Sequence, residues 1–157
     1  MAEQQICTFF LKGVYFGIDV QHVQEVIRPQ ATTLVPLAPP DICGLINLRG
    51  QIITVIDLQR RLEMSETHTQ STTKLGDEAQ GFNIIVRSDH EVVSLLVDRV
   101  GDVLEFAQNI FQPPPATLKG RMRQMLAGAY PLPEGFLLVL DTEKILDVNL
   151  TNQIIEY

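Results

Sequence analysis

Four aspartates stand where apolar, strand-like runs end: Asp19, Asp57, Asp98 and Asp141. Two carboxylates at a defined separation are what hydrolysis of a glycosidic bond requires. Aspartate at a strand end is also ordinary turn chemistry, because its short side chain accepts hydrogen bonds from nearby backbone amides. Turn chemistry is the reading taken here. The histidines offer no better proton carrier. His68 falls in a polar stretch and His90 at an expected hairpin tip, so neither has a rigid setting, and His22 reads as a surface residue. Cys7 and Cys43 are too few for a disulfide framework or a zinc site and read as small buried hydrophobes. The glycines form no Walker or dinucleotide pattern, and Asn47-Leu48-Arg49-Gly50 lacks the spacing of a phosphate cradle. No catalytic residue, metal site or cofactor is therefore expected.

Charge excludes further classes. The 157 residues include 19 acidic side chains against 12 Lys and Arg, a net charge of −7. Nucleic acids and anionic membrane surfaces are both recognised through clustered Lys and Arg, so neither is an expected partner. Lys119, Arg121 and Arg123 form the one local basic run, read as a solvated loop or, by their alternate spacing, as one strand face. No apolar segment approaches the ~20 residues that span a bilayer. The start of the chain lacks a basic segment followed by an apolar one. A cytoplasmic protein without direct membrane insertion is expected.

The elements that must position any site follow from the apolar period, which is mostly two, the mark of strands with one buried face. Ile6–Leu11 and Val14–Val20 read as a hairpin about Lys12-Gly13. His22–Glu25 reads as a single helical turn, which Pro29 keeps short. Ile46–Arg49 and Ile52–Leu58 flank a second hairpin turn, and Gln59–Leu62 a short helical end. Residues 63–81 are polar, rich in Ser and Thr, and read as an exposed connection. The pattern resumes with Phe82–Arg87, Val92–Val97, Val103–Phe106, Leu126–Tyr130 and Phe136–Leu140, and Thr142–Leu146 starts a short helix.

These elements repeat. Residues 14–26 align with 91–103 without a gap, setting Phe16, Ile18, Val20, Val23 and Val26 opposite Val93, Leu95, Val97, Val100 and Val103. Gly44, Gly50 and Asp57 likewise align with Gly128, Gly135 and Asp141. The residue before the second glycine does not recur: it is Arg49 in one copy and Glu134 in the other, which assigns a specific task to the first half. Half of such a chain is marginal as an independent core, so the halves pack as one domain over 1–157. Curling each sheet removes exposed edges. The expected fold is mainly β, two five-stranded barrels side by side with short helices. Subdomain 1 covers about 14–62 and subdomain 2 about 82–146, with the strand at 6–12 free to pair with either.

Val23-Gln24-Glu25-Val26, Asn47-Leu48-Arg49-Gly50 and Ile52–Leu58, followed by Asp98–Leu104 and the glycine-bracketed closing strands, resemble the CheW family of chemotaxis coupling proteins. The resemblance runs from about Cys7 to Leu146. It implies two five-stranded SH3-like barrels around a shared interior and a non-enzymatic adaptor. The implied partners are the cytoplasmic tip of methyl-accepting chemoreceptors and the regulatory domain of the histidine kinase CheA. Membrane association would come only through receptor arrays. By this resemblance Glu25 and Arg49 match the family's paired acid and base, and Val23 a neighbouring apolar contact. The partner-binding set implied is Val23, Glu25, Val26, Ile42, Leu45, Asn47, Leu48, Arg49 and Gly50. Its apolar members would line a groove between the halves that accepts a receptor helix hairpin. In the second half, Asp102 and Glu134 would leave two acids in place of the pair. Thr117 stands where the family often places a Phe after a Pro-containing stretch, here Pro113–Pro115, which weakens the case for a second kinase contact. Two other readings stand: a coupler for a twitching, gliding or other non-flagellar system, and a small-ligand-binding or hydrolytic β-barrel. The last needs an enclosed polar pocket with convergent acids.

Overall fold

Strand begins almost at the first residue of the computed structural model, which describes residues 2–64 and 81–147. The ten strands are β1 (Glu3–Leu11), β2 (Val14–Asp19), β3 (Val23–Ile27), β4 (Ile42–Leu48), β5 (Gln51–Asp57), β6 (Phe82–Arg87), β7 (Val92–Val97), β8 (Arg99–Ala107), β9 (Leu126–Leu132) and β10 (Gly135–Leu140). Among the described residues three short α-helices, α1 (Leu58–Arg61), α2 (Gly120–Met125) and α3 (Thr142–Ile145), accompany them. Residues 65–80, most of the expected polar connection and with them His68, lie outside the described residues. The helical turn expected at His22–Glu25 falls earlier. A 3-10 turn occupies Val20–His22, capped by Asp19, whose carboxylate accepts the Gln21 amide at 2.8 Å. Val23, Glu25 and Val26 therefore sit on a strand. The basic run is neither a loop nor a strand face: Arg121 and Arg123 lie on α2. Arg121 pairs with Glu63 at 3.4 Å, and Arg123 donates to the Pro115 carbonyl at 2.7 Å.

The strands form two five-stranded sheets, as the sequence led one to expect, but the sheets do not follow the two halves. A terminal sheet is ordered β8-β1-β2-β10-β9 and a central sheet β3-β6-β7-β5-β4. The boundaries expected at 14–62 and 82–146 thus fail at sheet level, because each copy lends its first hairpin to the other. β1 and β2 complete the sheet of β8, β9 and β10, while β6 and β7 complete that of β3, β4 and β5. Both sheets share one topology, and the registers agree with the sequence repeat. Phe16 and Gly17 pair in parallel with Leu138 and Val139, as their counterparts Val93 and Ser94 pair with Thr54 and Val55. The exchange makes the halves interdependent, because neither holds a complete sheet.

Three apolar clusters hold this arrangement. Ile46, Ile53, Val55 and Ile85 fill the central sheet, and Ile6, Tyr130, Leu137 and Val139 the terminal one. The largest cluster takes buried residues from both sheets and all three helices, including Phe9, Phe16, Leu58, Leu95, Met125 and Leu140. Each sheet also protects an edge in the same way. After β3 the chain returns, and Thr33 exchanges two hydrogen bonds of 2.8 Å with Leu45 on β4. After β8, Gln112 does the same with Ala129 on β9, at 2.9 and 2.8 Å. The returning backbone passes so close that a Cβ on Gly44 would lie 2.3 Å from the Thr33 carbonyl oxygen, and one on Gly128 2.5 Å from that of Gln112. The repeated glycines mark this shared need.

Candidate functional site

Asn47-Leu48-Arg49-Gly50 is the tip of the β4–β5 hairpin, which Leu48 and Gln51 close as a pair. Arg49 and Gly50 both have positive φ, +51° and +88°, as a tight primed turn between twisted strands requires. The Gly50 amide donates to Asn47 Oδ1 at 2.8 Å and fixes the loop. Leu48 packs against the core of the central sheet. Asn47 and Gly50 thus shape the turn, Leu48 anchors it, and Arg49 is left to project.

Glu25 lies on β3, at the opposite end of the same ladder. A bulge between Val23 and Glu25 shifts the strand's alternation. Ile27 packs on the central core, and Glu25, two residues earlier at the middle of the strand, shares its face. There Arg49 Nη2 donates directly to Glu25 Oε2. The ion pair therefore joins the two end strands of a curled sheet. Its side chains are 66% and 27% exposed, so it is worth only ~0–1 kcal/mol to the fold. A formal charge of each sign is instead held at a fixed place on the surface.

The other predicted residues divide between environments. Val23 and Ile42 are half-buried against the cluster shared by both sheets, whereas Leu48 belongs with the central core. Leu45 is half-buried and carries the Thr33 bridge, and Val26 is exposed at 39%. The acid, the base and the turn are thus brought together, and the five apolar residues do not share one cluster. The ladder also corrects the counterpart of Arg49. The β9–β10 hairpin closes at Leu132 and Gly135, so Pro133 occupies the place of Arg49, and Glu134 that of Gly50. Asp102 does fall in the place of Glu25, since Val100 and Val103 flank a bulge opposite β1 as Val23 and Val26 do opposite β6.

The aspartates serve the backbone. Asp57 and Asp141 cap α1 and α3 through the Arg60 and Lys144 amides, each at 3.3 Å. Asp98 accepts the Lys12 amide at 2.7 Å, and Asp19 accepts from Gln4 as well as from Gln21. His22 Nδ1 lies 3.0 Å from the Thr142 hydroxyl. Burial pushes the Cys7 thiol up, and burial aided by the Asp57 and Asp41 carboxylates pushes that of Cys43 up to about 12, so both stay protonated. A cleft of about 350 Å³, lined by Leu62, Glu63, Met64 and the 117–122 segment, contains no predicted site residue. Its one carboxylate, Glu63, is paired with Arg121. No group of three or more His, Cys, Asp and Glu side chains gathers among the described residues.

One charged site escaped the sequence reading. Arg61, 1% exposed, pairs with buried Asp41 at 2.6 Å and donates to the Ile145 carbonyl at 2.5 Å. The available signal was its place between Leu58 and Leu62 on a helix otherwise expected to turn an apolar face inward.

A family model described as a CheW-like domain matches residues 5–149. The chain belongs to the CheW family. It is 30% identical over 141 residues to the chemotaxis protein CheW of Treponema pallidum, covering 90% of this chain and 81% of that protein. It superposes on the crystal structure of the scaffolding protein TtCheW from Thermoanaerobacter tengcongensis with a TM-score of 0.79 at 27% identity, covering 94% and 95% of the two chains. Protein FrzA of Myxococcus xanthus matches over 73 residues at 32% identity, 46% of each chain. The CheW family is one of chemotaxis scaffolds and not of enzymes. Among the described residues, no helix is long and apolar enough to cross a membrane.

Proposed function

We propose that this chain is a cytoplasmic, non-enzymatic adaptor that couples the cytoplasmic tips of chemoreceptors to the regulatory domain of the histidine kinase CheA within a chemosensory array. The observation that carries this reading is the Glu25–Arg49 ion pair, displayed on the surface at small energetic benefit to the fold. Asn47 and Gly50 hold the turn that presents it. Val23 and Val26 flank Glu25 on β3 and Leu48 precedes Arg49, while Leu45 and Ile42 continue along β4 toward the hairpin base. We assign these residues to apolar contact with, or support for, the apolar stripe of a receptor helix. The test is Arg49→Glu in the full chain. Circular dichroism is expected to be unchanged, while co-sedimentation with receptor tip and kinase regulatory domain is lost. An unfolded variant, or one that still assembles, counts against the proposal.

A second reading keeps the coupling role and moves it to a twitching, gliding or other non-flagellar circuit. The partial match to FrzA, a protein not named for chemotaxis, favours it. Pull-downs with receptors and kinase from each candidate system separate the two.

A further inference from the structure

The buried Arg61–Asp41 pair is hard to explain as a stabilising device. Asp41 Oδ1 and Arg61 Nη2 are both buried without a hydrogen-bond partner among the described residues, and unmet buried polar atoms oppose folding. The repeat shows that the fold does not need them. Asp41 matches Met125, since the Asp57 amide donates to the Asp41 carbonyl at 2.9 Å as the Asp141 amide does to that of Met125. Counted from the capping aspartates, Arg61 matches Ile145. Met125 and Ile145 are fully buried in the shared apolar cluster. One copy therefore fills these two positions with apolar side chains, the other with an incompletely satisfied ion pair.

The pair's location supplies a reason. Asp41 directly precedes β4 and Arg61 ends the helix after β5, so together they clamp the base of the hairpin whose tip carries Arg49. Arg61 also donates to the backbone of Ile145, its own counterpart in the repeat. This contact between equivalent positions of the two copies ties the end of α1, which follows β5 of the central sheet, to α3, which follows β10 of the terminal sheet. A guanidinium is suited to this place, because its planar fork fixes two acceptors in one geometry.

We infer that Arg61, held between Asp41 and the Ile145 carbonyl, is a positioning residue that locks the base of the β4–β5 hairpin to α3 and so sets where Arg49 meets Glu25. Its relevance to docking rests on the proposed adaptor role, whereas its effect on the hairpin does not.

The test compares the full-length wild type with Asp41→Met/Arg61→Ile, which copies the second repeat, and with Arg61→Lys, which keeps the charge and loses the fork. Denaturant unfolding, amide hydrogen exchange and co-sedimentation with receptor tip and kinase regulatory domain are read on each. The double variant is expected to match or exceed wild-type stability. Its amides over residues 46–53 are expected to exchange about tenfold faster, with Arg61→Lys between the two, as local opening predicts. Weaker co-sedimentation of the double variant would extend the role to docking. Faster exchange with no co-sedimentation by any chain, wild type included, keeps the positioning role and rejects the adaptor reading. A double variant less stable than wild type, or either variant with wild-type exchange across the hairpin, overturns the inference.

Discussion

The β4–β5 and β9–β10 hairpins share a ladder pattern, a bulge near the base and a glycine under a returning chain, yet differ in the charges they carry. At the base, Asp41 and Arg61 face Met125 and Ile145 as counterparts. At the tip, Arg49-Gly50 stands where the second hairpin has Pro133-Glu134. Proline fixes φ at about −65°, so the second turn cannot take the left-handed path that points Arg49 outward. What both copies keep is what the sheet requires: the close-approach glycines and the capping aspartates. What one copy alone has is dispensable to the architecture, and both such features lie on the hairpin that carries the NLRG motif. They differ in weight. The exposed clasp is worth little to folding, whereas removing one member of the buried pair strands a charge away from water.

The sharpest way to break this comparison is Arg61→Ile alone. It converts one position to its counterpart and leaves Asp41 buried without a partner, at an expected loss of about 3–5 kcal/mol in urea unfolding. A loss below about 1 kcal/mol would show the pair to be nearly as dispensable as its apolar equivalent. Next come the shared glycines. Gly44→Ala combines a positive φ with a clash against the Thr33 carbonyl, and about 1–3 kcal/mol is expected. Gly128→Ala, whose Cβ would meet Gln112 and the Phe111 ring, should also destabilise, but less. Equal effects would mean that contact alone, without backbone strain, sets the requirement.

The smallest effect is expected at Asp57. Burial, and secondarily the nearby Asp98 carboxylate, raises its carboxyl above the ordinary 3.8, against the lowering influence of the Arg60 amide and guanidinium. The folded chain then holds this proton more tightly than the unfolded chain. The stability contributed is full below the ordinary value and is lost as pH rises through the folded one. An asparagine in this place would cap α1 comparably without titrating. The wild type's stability relative to Asp57→Asn should therefore fall as pH rises from about 4 toward neutrality. A difference that is flat or rises over that range would show that capping outweighs burial.

Much of this was legible along the chain. Alternating apolar residues gave eight of the strands to within a few residues, β8 only in its Val103–Phe106 part, and β3 largely as a helical turn. NLRG was readable as a hairpin tip, because its turn is closed by the Asn47 side chain within the same four residues. The repeat in 14–26 and 91–103 reappears as matching bulges and parallel registers. The α2 helix was missed because six residues with a basic alternation carry too little apolar signal to separate helix from strand.

The residues alone determined which faces of the strands are buried, where the chain turns, and which positions the two copies share, since these depend on neighbours within a few residues. Tertiary structure decided which strands meet. Period-two patterning specifies a buried face but not a partner, so the exchange of first hairpins between copies left no local trace. The one-residue shift that pairs Arg49 with Pro133 is likewise a property of the ladder. The burial of Arg61 depends on α3, some eighty residues away. Long-range packing alone turned a charged residue on a short helix into the pin between two sheets.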